Sequence, residues 1–242
     1  MVACFGGRPV TLVGTFQLAW TVFVTMGFVI MVYVYHRGKV TAGDKLLALV
    51  AKDSQSTVDE VTNLLNARGL SEATLRVAIE AQGKRQPFAL VFIDIKGFNR
   101  FISFGAKTSN ALLWAVALEI KLTFSNTSFV LARNAADEFV AILPNTDEAA
   151  ACRYAEDLIG RIGRHPLAFE GRTLPYRICV GGAVLTYAED GWTYLGDQKV
   201  VKAGHVAHNV CAHMVRTLSF TASRHLQLAK EQPPSQMPIY IR

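Results

Sequence analysis

Three carboxylates stand where such a group needs a reason. Asp94 falls near the end of an apolar run, residues 88–95 (FALVFIDI), rich in branched and aromatic side chains, which predicts a buried strand. A carboxylate leaving such a strand is costly unless it is paired or holds a cation. Asp137 and Glu138 fall between two more apolar runs, 128–133 and 138–143, which predict strands joined by a tight turn. If those strands flank the first, the three carboxylates converge at one sheet edge. Hard oxygen ligands suit Mg²⁺, and Mg²⁺ suits a nucleoside triphosphate. Carboxylates at strand ends and in turns are also commonly just solvated, so residue types alone leave both readings open.

The elements that would position them alternate in period. Helical spacing predicts helices at 61–81, at 108–122 with Leu112, Leu113, Val116 and Ile120 on one face, at 147–162 after Asn145-Thr146-Asp147, and at 197–218. A strand is predicted at 174–185 across Gly181-Gly182. Helices mixed with strands and a hairpin give an α+β domain, an α/β sandwich on a mostly antiparallel sheet. The expected segments are 1–36 (tail and membrane span), 37–56 (linker or helix), 57–218 (the domain) and 219–242. The last carries Pro233-Pro234 and Pro238 and is expected to be poorly ordered.

The apolar excess of the chain, 51% hydrophobic residues, is concentrated near its start. Residues 9–35 carry no charge, enough to cross about 30 Å of hydrocarbon as a helix. A cleavable signal peptide would have a shorter apolar core and a small-residue cleavage site, so an uncleaved anchor is the reading taken. Arg37, Lys39 and Lys45 follow the span and only Arg8 precedes it, which places the C-terminal bulk in the cytoplasm. Residues 41–58 could pair with a second copy as a short helix or serve as a plain linker. The formal charge is +6, but the Lys and Arg residues are scattered, so no nucleic-acid partner is expected. Four unpatterned cysteines give no disulfide framework. His205, His208, Cys211 and His213 could hold a transition metal on one helix, though incidental histidines explain them more simply. Gly105-Ala106-Lys107-Thr108 lacks the leading glycines of a phosphate loop and is read as a helix start.

Five segments in order resemble the GGDEF (diguanylate cyclase-like) family. Residues 59–68 (DEVTNLLNAR) are similar to its D-x-L-T-G-L-x-N-R-R motif, and residues 92–98 (FIDIKGF) to its metal-binding D-x-D-x-F segment. Residues 131–139 (LARNAADEF) resemble the A-R-x-G-G-D-E-F hairpin, 143–147 (LPNTD) the segment after it, and 179–183 (CVGGA) the S-I-G-I-A strand. The resemblance implies two domains face to face, each holding one GTP with Mg²⁺ on its phosphates, joining two GTP into cyclic di-GMP. It implies metal ligation by Asp94, Asp137 and the Ile95 carbonyl, with catalytic roles for Asp137 and Glu138. Phe98, Asn99, Asn110, Ala135 and Ala136 would lie against the nucleotide.

The departures bear on activity. Ala135 and Ala136 replace the paired glycines, where a tight turn is expected to demand positive φ. Lys96 replaces the second Asp of D-x-D. The family's phosphate-contacting Lys falls at Asn99, and its guanine-reading Asn and Asp at Ile102 and Asn110. Its A-D-x-A-M-Y-x-A-K helix, sought at 203–211, shows no phosphate-binding Lys there, and the inhibitory R-x-x-D falls on residues 126–129 without either charge. The expectation is a bacterial inner-membrane, single-pass protein whose cytoplasmic domain regulates by pairing with itself or another GGDEF protein. A weakly active cyclase is the alternative, and altered base choice a third reading. No E-A-L-type segment follows, so cyclic di-GMP hydrolysis is not expected.

Overall fold

The computed structural model describes residues 56–242, apart from 126–127, 190–191, 197, 203–207 and 234–235, together with residues 4–5, 8–9 and 26. The chain divides into two compact units, Met1–Gln55 and Ser56–Arg242. In the first, Cys4–Phe5 pairs antiparallel with Arg8–Pro9. Among the described residues no helix is long and apolar enough to cross a membrane. The span expected at 9–35 lies almost entirely outside them, as does most of the segment at 41–58.

The second unit is built on a seven-stranded sheet. Its strands are β1 (Phe88–Lys96), β2 (Val130–Arg133), β3 (Glu138–Pro144), β6 (Arg177–Tyr187), β7 (Trp192–Leu195), β8 (Gln198–Lys202) and β9 (Ile239–Ile241). β4 (Leu167–Phe169) and β5 (Arg172–Leu174) form a separate hairpin. The sheet order is β8-β7-β6-β1-β3-β2, antiparallel at every step. β9 joins β6 in parallel. The helices are α1 (Ala67–Lys84), α2 (Asn99–Ile102), α3 (Ala106–Thr123), α4 (Glu148–Arg164) and α5 (His208–Glu231).

β1 is buried on both faces because its side chains alternate between two cores. Ala89, Val91, Ile93 and Ile95 pack with Leu112, Val116 and Ile120 of α3 and Leu158 of α4. Phe88, Leu90 and Phe92 pack with Val77 and Ala81 of α1 and Leu218, Leu226 and Ala229 of α5. The expected antiparallel α/β sandwich is thus found, with two helices on each face.

Several boundaries differ from the sequence expectation for local reasons. α1 begins at residue 67 rather than 61. Asp59 accepts from the Thr62 backbone and hydroxyl, closing a turn, and Asn66 caps the helix by accepting from Arg68 and Gly69 N–H groups. The helix expected at 197–218 is replaced by β8 and then α5, and residues 219–231 are helical rather than poorly ordered. Met214, Leu218, Ala222, Leu226 and Ala229 recur at helical spacing and are buried, so the stripe continues past residue 218. The chain then returns as β9, with Val180 N–H donating to the Pro238 carbonyl at 2.8 Å. α3 does start after Gly105, whose φ of 103° suits a residue without a Cβ.

Gly181 fixes how α5 lies on the sheet. A Cβ at this position would occupy the backbone of His225 and Leu226. Gly181→Ala is therefore expected to cost about 3 kcal/mol or more by forcing the helix off the strand. Urea unfolding measures this, and an unchanged midpoint would disprove the close approach.

Candidate functional site

β1, β3 and β6 present their polar residues at one edge of the sheet. Asp94 is directly opposite Glu138 of β3 and Cys179 of β6, so Asp94 and Glu138 share the face covered by α1 and α5. The last turn of α5 brings Lys230 to this point, and its Nζ lies 2.7 Å from Asp94 Oδ2. The Asp94 side chain is only 11% exposed. Burial pushes its carboxyl above the ordinary Asp value, Lys230 opposes that, and the nearby Asp137 charge adds to it. Burial also raises Glu138, against the Asn134 amide, which donates to Glu138 Oε1 at 2.6 Å.

The hairpin between β2 and β3 is wider than expected. The N–H groups of Asn134 and Ala135 both turn to the Glu138 carbonyl, at 2.9 and 3.4 Å. Neither Ala135 nor Ala136 has positive φ. The penalty expected for alanine in a tight turn does not arise, because the longer loop spreads the reversal over more residues. Arg133 braces it, donating to the Ala136 carbonyl at 2.7 Å and pairing with Asp59 at 3.1 Å. The first recognised segment and the hairpin are also joined through backbone, Arg133 N–H donating to Leu65 O at 2.7 Å.

Of the residues singled out from sequence, Asp94, Asp137 and Glu138 come together, and the Ile95 N–H donates to the Asp137 carbonyl at 3.2 Å. Ala135 and Ala136 are exposed on the loop. Phe98 is buried with Phe101 in the core rather than presented on the surface. Asn99 at the start of α2 and Asn110 on α3 are exposed, and Ile102 is 50% exposed. Part of the 126–129 segment lies outside the described residues. Lys230 is the residue that sequence reasoning missed: the family's helix was sought at 203–211, whereas its Ala-Lys ending stands at Ala229-Lys230. The length of the stripe through Leu226 and Ala229 was the available signal. Cys211 is buried and donates to Gln82 Oε1 at 2.9 Å, while His205 and the His208 side chain lie outside the described residues.

Among the described residues no three His, Cys, Asp or Glu groups are gathered closely enough to hold a metal ion. Asp94 is engaged by Lys230, and Lys96 follows two residues on along the same strand.

The domain is a three-layer α+β sandwich on a mostly antiparallel sheet, with carboxylates at the adjoining ends of β1 and β3. Residues 56–198 match the family described as "Diguanylate cyclase, GGDEF domain". The chain belongs to the GGDEF family. It is 26% identical over 181 residues to the cyclic di-GMP phosphodiesterase NbdA of Pseudomonas aeruginosa, covering 72% of this chain and 22% of that protein. It is 28% identical over 160 residues to a diguanylate cyclase of Vibrio cholerae, covering 64% of this chain and 49% of that one. The chain thus spans less than half the length of either relative. The crystal structure of the FimX GGDEF domain from Pseudomonas aeruginosa superposes with a TM-score of 0.60 at 19% identity, covering 77% of this chain and 99% of that one.

The Asp59–Arg133 pair supports a prediction with a defined sign. Burial tends to raise Asp59, but the Thr62 hydrogen bonds and the Arg133 charge outweigh it, leaving the carboxyl below its ordinary value of 3.8. Its stabilisation is therefore complete above that value and lost as pH falls through the lower folded value. Asp59→Asn is expected to cost about 1–3 kcal/mol at pH 7 and to remove this acid-dependent loss. Urea midpoints of both proteins across acid pH measure it, and parallel curves would refute it.

Proposed function

We propose that this chain is a membrane-anchored, degenerate GGDEF protein that regulates cyclic di-GMP signalling by pairing with a second GGDEF domain rather than by making the nucleotide. The observation that carries this reading is Lys96 in place of the second Asp of the D-x-D segment, which sets a cation close to the expected metal position, beside an Asp94 already held by Lys230. Joining two GTP is phosphoryl transfer, which depends on positioning and on divalent cations that bridge phosphate oxygens. An ammonium group neutralises charge but cannot bridge as a metal does. Ile102, half-exposed where the family reads guanine, offers no hydrogen bond. Anchoring through residues 9–35, with the domain on the cytoplasmic side of a bacterial inner membrane, belongs to the same reading.

The second reading is a weakly active cyclase. The gathering of Asp94, Asp137 and Glu138 favours it, as does Lys230, which could turn from Asp94 to a phosphate. Incubating the purified full chain with GTP and Mg²⁺ or Mn²⁺, then separating the products, decides between them. No cyclic di-GMP and no GTP binding by calorimetry are expected. Product that disappears in Asp94→Ala would overturn the regulatory reading.

Lys96→Asp tests the electrostatic argument directly. It removes a cation and supplies the missing carboxylate, so Mn²⁺ affinity is expected to rise by roughly tenfold or more. Mn²⁺ titration followed by electron paramagnetic resonance reads this, and an unchanged affinity would mean Lys96 is not what weakens the site.

A further inference from the structure

A second concave site lies away from the carboxylates, where one face of α5 meets the β7–β8 turn and the end of β9. It encloses about 460 Å³, within the range of small-ligand pockets. Thr217, Phe220, Thr221, Arg224 and Leu228 line it from α5 at helical spacing, which makes them one continuous face. This face is distinct from the Leu218, Ala222, Leu226 stripe that enters the core.

Its chemistry has two halves. Phe220 is 72% exposed, an aromatic ring held by no core contact at the rim of the cavity. The opposite wall is rigid. His225 Nδ1 lies 2.6 Å from the Gly182 carbonyl and so must donate to it, which fixes the tautomer. The His225 ring lies against Tyr240 at 4.7 Å between centroids, and Tyr240 is held in register with Gly181. Such rings offer stacking surfaces for a planar ligand. The other half is cationic. Arg224 and Arg242 both line the cavity, and among the described residues no Asp or Glu does. Among the described residues neither guanidinium has a hydrogen-bond or ion-pair partner. Two free guanidinium forks are suited to a phosphate.

We propose that this groove binds a nucleoside monophosphate, with its base against the aromatic wall and its phosphate between Arg224 and Arg242. The site does not depend on the reading of the carboxylate edge, because none of Asp94, Asp137, Glu138 and Lys230 lines it. The Thr221 hydroxyl falls between Phe220 and Arg224 along α5, where the sugar would lie, and Thr217 lies one turn before it. Thr217 already donates to the His213 carbonyl, leaving its oxygen to accept.

The test is calorimetric titration of the purified full chain with GMP, AMP and UMP, and separately with guanosine and inorganic phosphate. Binding of at least one monophosphate is expected, with the nucleoside and the phosphate alone each at least about tenfold weaker. Arg224→Ala and Phe220→Ala should each weaken binding by roughly tenfold or more. Both side chains are exposed, so thermal unfolding should be unchanged, and that measurement accompanies each variant. Asp94→Asn should bind as the parent does. Three outcomes would overturn the proposal: no monophosphate bound at millimolar concentration, affinity unchanged in Arg224→Ala, or binding lost in Asp94→Asn, which would move it to the carboxylate edge.

Discussion

The close approach of α5 to β6 at Gly181 organises the functional edge. With no Cβ at that residue, the helix backbone at His225 and Leu226 rests directly on the strand. One helical turn beyond Leu226 is Lys230, and two residues back along β6 from Gly181 is Cys179, the register partner of Asp94. A turn of helix and two residues of strand cover similar distances, about 5.4 and 6.7 Å. The ammonium therefore arrives at Asp94 because of a contact made one turn away. The same contact leaves His225 pointing to the Gly182 carbonyl and sets the wall of the second groove.

Burying β1 on both faces explains why the chemistry gathers at the sheet edge. Every residue from Phe88 to Ile95 is buried, so a polar group within the strand would require its own partners. Asp94 is the only ionisable side chain in that stretch, and it obtains Lys230. Beyond it the strand emerges at Lys96 and the chain turns through Gly97, with φ 74°, into α2. The hairpin that supplies Asp137 and Glu138 is held from outside, through Arg133, Asp59 and the backbone bonds to Leu65. The segment before α1 is thus a brace for the loop rather than a part of the helix expected from residue 61.

Local pattern made much of this legible. The run at 88–95, the apolar face of α3 and the Asp147 cap each depend on neighbours within a few residues, and the structure places them within two residues of expectation. What failed depended on distant partners. The strand at Gln198–Lys202 is specified by its pairing with β7, and nothing within its own five residues separates it from a helix start. Polar residues interrupt α5 where it borders the second groove, and the prolines after it suggested a tail. The turn at Ala135-Ala136 was misjudged because its width is set by bonds from Arg133 and Glu138, not by the two alanines. Lys230 was missed because its partner is 136 residues away.

Charge balance separates keeping this fold from keeping its chemistry. Lys96 lies directly across from Arg177 on β6, and like charges at opposed positions are mildly unfavourable. Both side chains are exposed, where water screens the repulsion, so the sheet loses little. The consequence at the site is larger. Lys96 and Lys230 both lie close enough to Cys179 to act on its thiol, as does Asp94, so the two ammonium groups and the carboxylate share one neighbourhood. A divalent cation depends on an excess of carboxylate, and here Lys230 opposes both Asp94 and Glu138. Lys96 and Arg177 are exposed and outside both cores, so the sheet, the helices and the hairpin brace do not depend on the sign of the charge at residue 96.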